Sequence, residues 1–179
     1  AAGDVCFVIE SAIEAHGNAR IAVPGGSTPD PVFRALLEKE VAWDKVTILP
    51  TDDRLVPLND VNSNYCKIES LFGPEGANVV SLVDESALGD YREAGRLADE
   101  RLAELQWPLD LVMLGMGLDG HTASIFPGPD LDRAITGPRE RRAVGVRPNP
   151  MPKNAPVDRV TLTAAGRSWA RAGVVGMGG

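Results

Sequence analysis

The run Leu109-Asp110-Leu111-Val112-Met113-Leu114, broken at once by Gly115-Met116-Gly117-Leu118-Asp119-Gly120-His121 and continuing to Gly128, decides the fold. A short aliphatic run that ends in glycines predicts a buried strand handing over to a loop at its carboxyl end. In an open α/β sheet that edge is where ligands sit, which puts His121 in a position suited to chemistry. The second histidine, His16, precedes any recognisable loop.

Upstream of this strand, Asp90 to Gln106 carries apolar residues at Tyr91, Ala94, Ala98, Leu102 and Leu105, the spacing of a helix laid on a sheet. The same alternation extends to both sides. Helices are predicted over Cys6–Ala15, Pro29–Lys39 and Tyr65–Leu71, and strands over Arg20–Val23, Val46–Leu49, Val79–Leu82, Ala143–Val146, Arg159–Leu162 and Ala172–Val175, with a long loop from Pro50 to Asn64. Strands joined by crossover helices imply an α/β, doubly wound, mostly parallel sheet with helices on both faces, Rossmann-like. The sheet is expected to be incomplete at both ends, since no strand precedes the first helix and no helix follows the last strand.

With 179 residues, 44% of them hydrophobic, the chain suits a single α/β domain over residues 1–179. A net charge of −7 argues against nucleic acid or an anionic membrane as partner, so an anionic ligand must be held by local donors. Cys6 and Cys66 fit no metal or disulfide spacing and read as free thiols of a reducing compartment. No apolar segment approaches membrane-spanning length and no signal peptide is evident. The expectation is a cytoplasmic protein, a monomer or weak oligomer, whose partner is a small molecule.

Three loops carry candidate chemistry. Pro24-Gly25-Gly26-Ser27-Thr28-Pro29 follows a strand and opens a helix. Glycines admit an anion to the backbone amides, the positive end of the helix dipole favours it, and Ser27 and Thr28 add hydroxyl donors. An ordinary strand-to-helix turn with a hydroxyl cap has the same composition. Thr51-Asp52-Asp53-Arg54 places two carboxylates and a guanidinium after the next strand, able to supply an orienting acceptor and an anion clamp, though solvated loop charges look alike. Asn59, Asn62, Ser63 and Asn64 read as turn and helix-capping residues. In the third loop His121 can act as a general base, with Asp119 to orient it. Gly115, Gly117 and Gly120 match a dinucleotide fingerprint, but the Pro-rich stretch downstream lacks its helix and acidic residue. Ser124 lacks a nucleophile elbow and reads as structural.

Together the segments Val23–Pro29, Asp52–Pro57 with Ser63-Asn64-Tyr65, Leu114–Pro127 and Arg159–Thr163 resemble the 6-phosphogluconolactonases, which share a sugar-phosphate isomerase type of fold with the glucosamine-6-phosphate deaminases. The resemblance implies hydrolysis of 6-phospho-D-glucono-1,5-lactone to 6-phosphogluconate in the oxidative pentose phosphate pathway, with neither metal nor organic cofactor. It further implies His121, Asp119 and Arg54 as catalytic residues, and Gly25, Gly26, Ser27, Thr28, Asp52 and Arg159 as binding residues for substrate and its phosphate. Lys153 resembles the lysine of a Pro-Lys-Pro-Pro segment in that family.

Two alternatives share parts of this pattern. The deaminases look like Gly-His followed by Ile-Ala-Phe-Asn-Glu-Pro, whereas Thr122-Ala123-Ser124-Ile125-Phe126-Pro127 follows His121 and lacks that glutamate. A non-catalytic sugar-phosphate sensor would keep the glycine loop; such sensors usually carry a DNA-binding module, which this sequence lacks.

Overall fold

The computed structural model of the chain describes residues 2–116, 121–168 and 170–177. Its elements run α1 (Ala2–His16), β1 (Ala19–Val23), α2 (Asp30–Leu37), β2 (Val46–Pro50), β3 (Asp52–Arg54), α3 (Asn64–Phe72), β4 (Asn78–Val79), α4 (Tyr91–Ala103), β5 (Leu109–Met116), α5 (Leu131–Ile135), β6 (Ala143–Val146), β7 (Arg159–Leu162), α6 (Ala164–Ser168) and β8 (Ala170–Met177). Five strands form a parallel sheet in the order β4-β2-β1-β5-β8. The chain builds from β1 outward to β2 and β4, then returns to the other side of β1 with β5. The order therefore reverses between β1 and β5, the position at which doubly wound sheets open a crevice.

Alternation along these strands feeds two apolar layers. Ile21, Val23, Ile48, Leu111 and Met113 pack with Val5, Ile9, Phe33, Ile68 and Phe72 of α1, α2 and α3. Ala22, Leu49 and Val112 pack on the opposite face with Ala94, Ala98 and Leu102 of α4. Two helices start where a side chain satisfies free amides: Ser63 accepts from the Cys66 N–H ahead of α3, and Asp90 from the Arg92 and Glu93 N–H groups at the start of α4. Among the described residues no helix is long and apolar enough to cross a membrane.

One expectation is corrected. Ala143–Val146 and Arg159–Leu162 do not join the parallel sheet; they form a three-stranded antiparallel sheet, β3-β7-β6, whose third member lies inside the expected loop from Pro50 to Asn64. The physical reason is the link 147–158, which carries Pro148, Pro150, Pro152 and Pro156 and supplies no crossover helix, so its flanking strands pair antiparallel. The expected strand Val79–Leu82 also contracts to Asn78–Val79. This small sheet joins α4 in covering the second face, with Val160 and Leu162 in the same apolar layer.

Contact between α4 and β6 is backbone to backbone. A Cβ added to Gly145 would stand 1.5 Å from the Tyr91 carbonyl oxygen, and one added to Gly95 1.9 Å from the Gly145 nitrogen. Neither neighbour is a side chain that can swing away. Gly145→Ala should therefore cost about 3 kcal/mol or more, the upper end of overpacking penalties. Chemical denaturation checks this, and a loss below about 0.5 kcal/mol would be that of a surface substitution and would contradict the interlock.

Candidate active site

The three loops singled out by sequence leave the carboxyl ends of adjacent strands, and the structure knits them together. The Thr51 N–H donates to the Val23 carbonyl at 2.9 Å, joining the ends of β1 and β2. A Cβ on Gly115 would lie 3.7 Å from Pro24 Cβ, so the end of β5 abuts the start of the glycine loop. His16, by contrast, sits at the other end of the sheet, 3.0 Å from an Asp110 oxygen.

Gly26 takes φ +74°, a left-handed conformation glycine adopts at little cost, and exposes Gly26, Ser27 and Thr28 ahead of α2. Pro29 occupies the cap position of α2 and makes no side-chain cap bond. Gly25 is a matter of space: a Cβ there would fall 1.9 Å from Asn64 Oδ1. Asn64 is buried and fully engaged, accepting from an Arg54 guanidinium nitrogen at 2.7 Å and donating through Nδ2 to the Asp52 carbonyl at 2.8 Å. It thus locks the glycine loop to the Asp-Asp-Arg segment.

That segment is a strand, and pleating sorts its charges. Asp52 and Arg54 share one face of the small sheet with their β7 partners Thr161 and Arg159. Arg159 is buried, its guanidinium donating to the Val157 and Ala155 carbonyls at 2.6 and 2.8 Å. Burial, and then the neighbouring Arg54 charge, hold it below the ordinary arginine value. Two guanidiniums side by side repel one another, and an anion between them would relieve that repulsion. Asp53 points the other way, is fully buried, and accepts from the N–H groups of Arg54, Asn64 and Tyr65 at 2.7–2.9 Å. Burial pushes its carboxyl up to about 6 against the pull of those three donors. Its position marks it as an anchor for the start of α3, remote from the face that carries Arg54.

His121 lies half-buried, its ring 4.6 Å from that of Phe126 and tilted by 36°. Thr122 bridges antiparallel to Met116, and the Ser124 N–H donates to Thr161 Oγ1 at 3.3 Å, while the Ser124 hydroxyl donates to the Asp52 carboxylate. These bonds fold the His121 segment back over the face that carries Asp52, Arg54, Arg159 and Thr161. Ser124, 1% exposed, holds this loop as a structural residue. Asp119, with Gly117 and Gly120, lies outside the described residues.

A profile of the glucosamine-6-phosphate isomerases/6-phosphogluconolactonase family matches residues 1–179. The chain belongs to this family. Within the isomerase/lactonase family, a 6-phosphogluconolactonase of Rhizobium meliloti is 43% identical over 128 residues, 71% of this chain and 55% of its own length. That of Pseudomonas aeruginosa is 35% identical over 167 residues, 92% of this chain and 68% of its own. The crystal structure of a Shewanella baltica 6-phosphogluconolactonase superposes with a TM-score of 0.86 at 29% identity, covering 97% of this chain and 73% of that one. The chain thus spans between about half and three quarters of the relatives it matches.

One residue near the family's glycine loop escaped the sequence reading. Lys67 of α3 donates to the Gly26 carbonyl and to the Asp30 carboxylate. A usable signal was its spacing: Lys67 follows Asn64 by three positions and so shares its helical face.

Proposed function

We propose that the protein hydrolyses 6-phospho-D-glucono-1,5-lactone to 6-phosphogluconate in the cytoplasm. The observation that carries this reading is the meeting, at the point where the strand order reverses, of an exposed glycine loop, an Arg54–Arg159 pair and the His121 loop. The curated relatives named 6-phosphogluconolactonase support the choice of substrate.

The substrate is an activated cyclic ester with a phosphate at its far end. Its phosphate would be held by the amides and hydroxyls of Gly25, Gly26, Ser27 and Thr28, with Arg159 beside Arg54 adding charge. Fixing that end brings the lactone carbonyl to His121, and positioning of this kind can account for several kcal/mol of barrier. His121 takes a proton from water, the hydroxide forms a bond to C1, and charge collects on the carbonyl oxygen. Arg54 faces that charge. The tetrahedral species then expels the ring oxygen, which regains a proton as a hydroxyl, leaving the carboxylate. Asp119 is assigned to orient the imidazole. Asp52 would repel a phosphate, and its assigned partners are the substrate's hydroxyls.

Acid release at constant pH from freshly generated lactone tests the reading, with ammonia release from glucosamine 6-phosphate measured in parallel. Base uptake well above the spontaneous rate, without ammonia, is the expected result. Ammonia in its place would assign the site to the deaminases.

A further inference from the structure

Lys67 makes its two bonds in a way that bears on the anion cradle. Its ammonium reaches the Gly26 carbonyl and the Asp30 carboxylate, so α3 grips the loop twice, through Asn64 on Gly25 and through Lys67 one turn later. The Gly26 carbonyl and the Ser27 N–H belong to one planar trans peptide and point in opposite directions. Drawing the carbonyl toward α3 therefore turns the Ser27 N–H away from α3. Among the described residues the Ser27 N–H donates to no backbone acceptor.

Charge reinforces this geometry. Both side chains of the pair are about a third exposed, at 30% for Lys67 and 32% for Asp30, where an ion pair contributes little stability of its own. Without Lys67, however, Asp30 would stand uncompensated beside a loop meant for an anion, and the Gly26–Ser27 peptide would be free to rotate. Gly26, already left-handed, has the freedom to let that happen.

We propose that Lys67 is a positioning residue of the phosphate cradle, holding the Gly26–Ser27 peptide so that the Ser27 N–H faces the bound phosphate, and masking the Asp30 charge. This rests on the lactonase reading for its substrate, but the cradle can be probed separately with inorganic phosphate.

The test compares wild type, Lys67→Met and Lys67→Arg. Lys67→Met should raise KM for the lactone, and the inhibition constant for inorganic phosphate, about tenfold, the effect of losing one charge-assisted contact, with kcat within about twofold. Lys67→Arg, which can still donate to both partners, should restore both constants. In wild type the Ser27 amide resonance should move on addition of inorganic phosphate, and in Lys67→Met that movement should be lost. Unchanged KM and phosphate affinity in a folded Lys67→Met protein would overturn the proposal while leaving the lactonase reading intact. A wild type that binds phosphate through Ser27 in a Lys67-dependent way, yet leaves the lactone untouched, would retain the cradle and remove the lactonase.

Discussion

Replacing His121 with alanine should lower kcat for lactone hydrolysis by about 10²–10⁴-fold, the range removed with a positioned general base. KM should stay close to wild type, because the imidazole is assigned to the water and the phosphate loop to binding. The loop is also anchored by the Thr122 bridge to Met116 and by Ser124 on Asp52, which the substitution leaves in place. A large loss of rate in a variant whose denaturation midpoint is unchanged would then report chemistry. Acid release by both proteins at one constant pH, corrected for spontaneous opening of the lactone, decides the matter. Equal corrected rates would take His121 out of the mechanism and leave the cradle as a binding site.

The strand and loop that lead to His121 show which features of the fold are written locally. Strand, glycine break and loop are consecutive in the chain, as are β1 and the Gly25-Gly26 turn, and short-range patterning suffices to read them. The small antiparallel sheet was hidden for the opposite reason. Asp52-Asp53-Arg54 has no strand propensity to speak of and is extended because Arg159, Val160 and Thr161 pair with it from a hundred positions away. Asp53 likewise looks like half of a carboxylate pair until the fold brings the amides of Asn64 and Tyr65 onto it. Lys67 reads as a surface charge on a helix, and only the approach of Gly26, 41 positions earlier, gives it a task. What was illegible is consistently a polar residue whose partner is supplied by tertiary structure.

Asp110 is the extreme case, a charged residue inside the apolar run that announced the fold, and its replacement should produce a large loss of stability. It is 1% exposed, and its carboxylate takes the Arg20 N–H at 2.8 Å and His16 Nε2 at 3.0 Å, with Arg20 Nε at 3.4 Å and Arg171 Nε at 3.7 Å. The end of α1 and the starts of β1, β5 and β8 thus converge on one buried anion. Asp110→Ala leaves the buried Arg20 guanidinium without its carboxylate, a change that costs about 3–5 kcal/mol when one partner of a buried pair is removed. Asp110→Asn keeps an acceptor for the Arg20 N–H and should cost less than the alanine variant. Both sites lie on β5, but Asp110 is separated from Met116, where the strand delivers the His121 loop, by ~20 Å of extended chain. The two substitutions should therefore lower the denaturation midpoint while kcat per folded molecule stays near wild type. A loss below about 1 kcal/mol for Asp110→Ala would mean that His16, Arg20 and Arg171 find other partners, and that the amino-terminal edge of the sheet does not depend on this carboxylate.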